Sequence, residues 1–162
     1  ILPGVGAFGQ AMDKLKEKKF DTLLNEWKAA NKPLLGICLG MQLLFESSTE
    51  HGFKNGLGML KGTVQDLKEV VQDLRVPHVG WNNLNIQRDS RLLAGISPED
   101  NFYFVHSFYC KAAQADVVTG KVEYGIHFDV VVEQGNLFGC QFHPEKSQDA
   151  GLRLLKNFGT LV

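Results

Sequence analysis

Hydrophobic and polar segments alternate about every ten to fifteen residues along this chain, which is typical of helices interleaved with strands. Over Gln10–Ala30 the apolar residues recur at helical spacing, which predicts two helices with a boundary at Asp21. Asn31–Pro33 ends the helical pattern. The apolar run Leu34–Cys38 that follows is typical of a strand buried on both faces of a parallel sheet.

The remaining segments are shorter and richer in strand-forming residues. A short helix is predicted over Gln42–Glu46, and apolar residues at three-residue steps predict a closing helix over Asp149–Phe158. Gly, Asn, Asp and Pro separate the strand-length segments, which are Phe102–His106, Val117–Val122, His127–Val132 and Leu137–Phe142. The whole pattern predicts an α/β fold, with an open, mostly parallel sheet flanked by helices and an antiparallel extension.

Composition narrows the class of protein. The chain has 162 residues, and 17 Lys and Arg against 18 Asp and Glu give a net charge of −1. Without a basic block we expect no nucleic-acid partner. The longest apolar stretch, Leu34–Phe45, is interrupted and shorter than the roughly 20 residues of a membrane span, so no membrane association is expected. Three cysteines without paired spacing favour a reducing, cytoplasmic location.

The segment Gly36–Gly40, with Cys38 at its centre, lies between a predicted buried strand and a helix. It has the form of a nucleophile elbow, G-x-S-x-G, with sulfur in place of oxygen. Such a turn needs small neighbours, because the nucleophile adopts an unusual φ and the backbone passes close to the next strand. The helix N-terminus favours a thiolate, and the N–H of Leu39 points toward a developing oxyanion. The alternative is a structural cysteine beside two turn glycines.

A nucleophilic thiol needs a base, and the chain has five histidines. His143 follows a predicted strand and precedes Pro144 and Glu145. A carboxylate that holds one ring nitrogen leaves the other free to take the thiol proton. For His51 and His127 we favour the ordinary interpretation, a surface or hydrogen-bonded core residue.

Two further motifs point to chemistry only weakly. The segment Gly4–Gly9 fits the dinucleotide fingerprint G-x-G-x-x-G, but Pro3 precedes it and no acidic residue closes a second strand at the required distance. The backbone N–H groups of Gly4 to Gly6 could instead form half of an oxyanion hole, or the segment could be an ordinary turn that ends a strand. Cys140 and His143 have a C-x₂-H spacing, but no second Cys/His pair completes a zinc site, so no metal and no cofactor are expected.

Together, several segments resemble the class I (triad) glutamine amidotransferases. They are the Cys38 elbow extended to Gln42, the sequence Phe142–Ser147 around His-Pro-Glu, and Pro3–Gly6 upstream. Within that family, Pro77–Asn82 and Tyr103–Phe108 resemble members that supply ammonia for histidine biosynthesis. Other members serve anthranilate, GMP or pyridoxal phosphate synthesis, and a non-catalytic interaction domain of the same fold is the alternative of a different class.

The resemblance implies a role for each matching residue. Cys38 would attack the glutamine carboxamide, His143 would transfer the proton and Glu145 would orient His143. The oxyanion hole would comprise Leu39, Gly4 and Val5. Gln42 and Glu50 match positions that hold the α-carboxylate and α-amino ends of L-glutamine, and His106, Ser107 and Phe108 match a strand that lines the substrate.

The resemblance also implies a partner, a (β/α)₈-barrel cyclase that receives the ammonia in a heterodimer. Candidates for the surface that faces the cyclase are Pro77, His78, Trp81, Asn82 and Lys146. Residues 1–162 would form a type 1 glutamine amidotransferase domain that lacks its first strand–helix units, because Ile1 to Pro3 has the character of a strand that has lost its beginning.

Overall fold

Ten of the twelve strands form one mixed sheet, and the other two form a separate antiparallel pair in the computed structural model, which describes residues 1–162. The helices are α1 (Phe8–Glu17), α2 (Phe20–Ala29), α3 (Leu39–Leu43) and α4 (Gln148–Gly159). The strands are β1 (Leu2–Gly4), β2 (Leu34–Cys38), β3 (Phe45–Ser48), β4 (Lys54–Asn55), β5 (Leu60–Asp66), β6 (His78–Asn83), β7 (Asn85–Ile86), β8 (Asn101–His106), β9 (Phe108–Ala112), β10 (Val118–Tyr124), β11 (Ile126–Gln134) and β12 (Leu137–Cys140).

The large sheet has the order β1-β2-β12-β11-β9-β5-β3-β4, with β10 and β7 branching from β11. Strand β2 lies between β1 and β12 and is parallel to both, and all five of its residues are buried. The α/β class and the antiparallel extension are confirmed. Parallel pairing is limited to β1-β2-β12 and β3-β5, so antiparallel pairs are the more numerous. The reason is that β10, β11 and β12 follow one another through tight turns, which force neighbouring strands to run antiparallel.

The helices differ from the sequence pattern at two places. The boundary between α1 and α2 lies at Lys19, which has a left-handed backbone with φ 58°, rather than at Asp21. The predicted helix over Gln42–Glu46 is wrong, because α3 ends at Leu43 and Phe45 begins β3. Phe45 is fully buried and pairs with Leu60 of β5, so packing outweighs local helix preference. The closing helix is confirmed as α4.

Hydrophobic side chains pack against both faces of the large sheet. One cluster includes Phe138 of β12 and Phe158 of α4, and a second includes Phe8 of α1 and Leu137 of β12. Leu137 and Phe138, which are consecutive in β12, belong to opposite clusters, because side chains alternate across a strand. No helix in the structure combines the length and the apolar character needed to cross a membrane.

Candidate active site

Cys38 occupies a sharp turn between a buried strand and a helix. It is the last residue of β2, Leu39 begins α3, and its backbone has φ 54° and ψ −112°. A positive φ is uncommon outside glycine and is typical of residues held under strain at functional sites. A Cβ at Gly36 would lie 2.7 Å from Gly40 O, and one at Gly40 would lie 1.7 Å from Leu2 O. Backbone packing therefore requires both glycines of the elbow.

His143 presents one ring nitrogen to Glu145 and leaves the other without a partner. Its Nδ1 lies 2.7 Å from Glu145 Oε1. Because a carboxylate only accepts hydrogen bonds, Nδ1 carries the proton and Nε2 carries the lone pair in the neutral ring. Nε2 is buried and makes no hydrogen bond, and the whole residue is only 4% exposed. The geometry thus provides a base with an oriented, vacant nitrogen.

The backbone around His143 is held by the strand β8 and by Ser147. The His143 N–H donates to Tyr103 O at 2.9 Å, and Ser147 Oγ donates to His143 O at 2.7 Å. The same hydroxyl accepts from the N–H of Tyr103 at 2.9 Å. Since Ser147 is fully buried, these bonds fix the base relative to β8.

A cavity of about 370 Å³ brings most of the predicted site residues together. Cys38 and His143 line it, with the oxyanion candidates Leu39 and Val5. Gly4 pairs with Cys38 across the β1-β2 ladder but does not line this cavity. All the candidate substrate residues line it, namely Gln42, Glu50, His106, Ser107 and Phe108. Gly6, part of the glycine segment considered above for the oxyanion hole, also lines the cavity. The sequence did not point to Val105 as a lining residue, and Pro77 was assigned to a partner.

The Cys38 thiol is protonated in the resting protein. Burial raises its pKa to about 11, although hydrogen bonds from the Leu39 backbone and the Gln141 side chain act in the opposite direction. In the resting protein burial outweighs these hydrogen bonds and the favourable position of Cys38 at the N-terminus of α3. No hydrogen bond joins Cys38 Sγ to His143 Nε2.

Gln141 contacts the sulfur directly and was missed in the sequence. Its Nε2 lies 3.6 Å from Cys38 Sγ, and its Oε1 accepts from Gln42 Nε2 at 3.1 Å. The available signal was that Gln141 is the single polar side chain in the apolar segment 137–142. A glutamine in a fully buried segment needs hydrogen-bond partners, which points to a polar neighbour inside.

Gln42 and Glu50 both form hydrogen bonds within the protein. Gln42 Nε2 donates to Phe108 O at 3.2 Å and to Gln141 Oε1, so both of its amide hydrogens are used. While these bonds are in place, Gln42 offers a ligand only its carbonyl oxygen. Glu50 accepts from the Phe8 N–H at 2.6 Å and is an acceptor as well.

The candidate interface residues lie on or beside the antiparallel pair of β6 and β8, and they differ in exposure. His78 is only 1% exposed and stacks on Phe104 and Tyr124, with ring centroids 4.9 and 4.1 Å away, so it cannot face a partner as predicted. Trp81 is 45% exposed and packs edge-on against Tyr103. The exposed face of this pair carries Val79, Trp81 and Val105. Two further candidates lie nearby. The Asn82 side chain donates to Glu123 O, and Lys146 Nζ lies 5.9 Å from the centre of the Tyr103 ring.

The site combines a cysteine at a strand-to-helix turn, a histidine paired with a carboxylate, and a cavity of substrate size. On an α/β sheet, this combination defines a thiol-dependent hydrolase site. The family model "Glutamine amidotransferase class-I" matches residues 1–161, and the chain belongs to this family. Within it, the chain is similar to the imidazole glycerol phosphate synthase subunit HisH of Moorella thermoacetica, with 50% identity over 100% of this chain and 76% of that protein. The HisH subunit of Bacillus licheniformis is also 50% identical, over 98% of this chain and 76% of that protein.

Solved structures share the fold at much lower identity. A crystal structure of a glutamine amidotransferase superposes with a TM-score of 0.67 at 20% identity, over 97% of this chain and 77% of that one. The glutaminase domain of Trypanosoma brucei CTPS with bound acivicin gives a TM-score of 0.65 at 16% identity, over 99% of this chain and 70% of that one. These matches extend the fold assignment beyond close relatives.

Proposed function

We propose that this chain hydrolyses glutamine to glutamate and ammonia, as the glutaminase subunit of an imidazole glycerol phosphate synthase in histidine biosynthesis. The observation that carries the proposal is the shared cavity of Cys38 and His143, with Glu145 on the far ring nitrogen. The 50% identity to HisH subunits over the full chain supports this member of the family over those of anthranilate, GMP or pyridoxal phosphate synthesis.

In the proposed reaction Cys38 Sγ attacks the carboxamide carbon while His143 Nε2 accepts the thiol proton. His143 then donates that proton to the departing ammonia, and a thioester remains. Water, deprotonated by His143, opens the thioester to glutamate and restores the thiol. Glu145 keeps the lone pair of His143 directed at the cavity, and the N–H of Leu39, with one from Gly4 or Val5, stabilises the oxyanion.

The polar groups at the rim suit the amino end of glutamine. Glu50 is a carboxylate, and Gln42 has only its carbonyl oxygen available, so both are acceptors for an ammonium group. We assign the α-ammonium of glutamine to these two residues and the wall along its side chain to His106, Ser107 and Phe108. The α-carboxylate must find its donors elsewhere in the cavity.

The partner in this proposal is a (β/α)₈-barrel cyclase that takes the ammonia and releases imidazole glycerol phosphate and an aminoimidazole carboxamide ribotide. The exposed apolar face of β6 and β8 suits such a partner, because Val105 and Pro77 also line the cavity. Pro77, Trp81, Asn82 and Lys146 are then interface residues. The proposal places the protein in the cytoplasm, since its three free cysteines fit a reducing compartment.

The test uses Cys38→Ala in complex with the cyclase. Glutamine-dependent synthesis and glutamine hydrolysis should fall to background, while synthesis from added ammonia stays at the wild-type rate. Cys110→Ala is the matched control, because Cys110 is buried in the second core cluster and should retain glutamine turnover. Glutamine turnover by Cys38→Ala would refute the nucleophile assignment.

The choice of partner is tested by activation. The glutaminase rate should rise when the cyclase is added and should not respond to the synthase subunits for anthranilate, GMP or pyridoxal phosphate. Activation by one of those subunits instead would move the chain to another branch of the family.

A further inference from the structure

We propose that Gln141 is a further catalytic residue, whose side-chain amide donates a hydrogen bond to Cys38 Sγ, positions the sulfur and stabilises the charge that it acquires during attack. The inference deepens the proposed function, because it concerns the same nucleophile. It rests on geometry, since Gln141 Nε2 lies 3.6 Å from Cys38 Sγ, within hydrogen-bond range for sulfur.

The orientation of the Gln141 amide is determined by its neighbours. Gln42 Nε2 donates to the Phe108 carbonyl, which can only accept, so the amino group of Gln42 is fixed on that side. The same amino group donates to Gln141 Oε1 at 3.1 Å. The oxygen of Gln141 must therefore face Gln42, which leaves its nitrogen facing the sulfur. A flipped amide would place two donors against each other.

A buried chain of hydrogen bonds continues beyond Gln42. The Phe108 carbonyl also accepts from His106 Nδ1 at 2.8 Å, and His106 Nε2 lies 3.1 Å from His78 Nδ1. Because the carbonyl only accepts, His106 carries its proton on Nδ1, and His78 Nδ1 must donate to His106 Nε2. The chain thus runs from β6 through β8 and β9 to the sulfur at the end of β2. Each member fixes the orientation of the next.

The contact between Gln141 and Cys38 matters because few other groups can stabilise negative charge on the sulfur. Cys38 is only 7% exposed, so few water molecules can solvate a thiolate there. His143 makes no hydrogen bond to the sulfur, whereas Gln141 does. Gln141 is itself 0% exposed, and its backbone N–H donates to Val130 O at 2.9 Å, which holds the residue in place. A rigid donor of this kind stabilises negative charge without reorganisation.

The test compares Gln141→Met with the wild type, both in complex with the cyclase. Methionine has a similar length and cannot donate. We expect iodoacetamide to alkylate Cys38 about tenfold more slowly in Gln141→Met than in the wild type at pH 7, 8 and 9, measured on the Cys38 peptide by mass spectrometry. The reason is that a pKa about one unit higher lowers the thiolate fraction about tenfold at any pH well below the pKa. The kcat for glutamine should fall at least about tenfold while KM stays within about twofold.

Two further variants make the result decisive. Thr119→Val removes a buried hydroxyl outside the cavity and should leave both the alkylation rate and kcat unchanged. Gln141→Glu, which keeps the size of the side chain, should slow alkylation further, because a carboxylate repels a thiolate. An unchanged alkylation rate in either Gln141 variant overturns the proposal and leaves Gln141 a packing residue. Failure of the proposed function itself would be seen in a different experiment, because Cys38→Ala would then still hydrolyse glutamine.

Discussion

At the scale of the residue, the base and the nucleophile of the resting site are both neutral and are not hydrogen-bonded to each other. His143 has a vacant, buried Nε2, and Cys38 retains its proton because burial raises its pKa to about 11. The two groups do not hydrogen-bond to each other in the resting protein. Proton transfer therefore depends on the orientation of His143 Nε2 relative to the Cys38 thiol when glutamine occupies the cavity.

Replacement of Glu145 tests whether it controls the orientation and the tautomer of His143. In Glu145→Gln the amide can donate to His143 Nδ1, which favours the tautomer with its proton on Nε2 and leaves no base toward Cys38. We expect kcat for glutamine to fall by about 100-fold or more with little change in KM, measured by glutamate release in the cyclase complex. Glu26→Gln, on the exposed face of α2, should match the wild type. A kcat within about threefold of the wild type would contradict the orienting role.

At the scale of the element, the elbow depends on contact between β1, β2 and α3. Leu2 O approaches Gly40 so closely that no side chain fits between them. The first strand thus supports the turn from one side while β12 pairs with β2 on the other. The position of the sulfur follows from this three-element packing and not from the pentapeptide alone.

Gly40→Ala should disrupt this packing. A Cβ at 1.7 Å from Leu2 O must push β1 away from α3, which we expect to cost about 3 kcal/mol of unfolding free energy or more. Urea unfolding followed by circular dichroism measures the loss. Gly159→Ala, at the end of α4 with nothing within 4 Å of the added Cβ, should be neutral or slightly stabilising. Equal stability of the two variants would show that β1 does not hold the elbow.

The elements also show why some of the site could be predicted and some could not. The elbow at Cys38 and the His-Pro-Glu segment at His143 are local, so their spacing made them candidates, and the resemblance to a family then gave them roles. The hydrogen bond from Gln141 and the burial of His78 depend on pairings between distant strands, such as His78 with His106. The error at Gln42–Glu46 has the same origin, because β3 forms only through its pairing with β5.

At the scale of the whole molecule, two buried histidines link stability to pH. Burial lowers the pKa of His78 to about 4 and that of His106 to about 3, where the charge of His78 adds to the effect of burial. Both rings are therefore neutral in the folded protein at pH 5, whereas histidines of the unfolded chain titrate near 6.5. Below about pH 6.5 the unfolded state binds protons that the folded state does not.

Stability should consequently fall as the pH drops from about 6.5 toward 4, by up to roughly 1.4 kcal/mol per pH unit for each histidine. Urea unfolding at pH 7, 6 and 5 measures this slope. His78→Phe should reduce the slope, since one titrating ring is gone, while Thr119→Val should keep that of the wild type. A slope that is the same in His78→Phe would exclude His78 as a source of acid sensitivity.

The burial of Cys38 also determines how the protein endures between turnovers. Peroxide oxidises the thiolate form of cysteine, first to a sulfenic acid and then irreversibly. A thiol with a pKa of about 11 offers oxidants very little thiolate at neutral pH, and Cys38 is only 7% exposed. Cys110 and Cys140 are fully buried, and burial raises the pKa of both. The low reactivity that makes each catalytic cycle depend on a base thus preserves the nucleophile while glutamine is scarce.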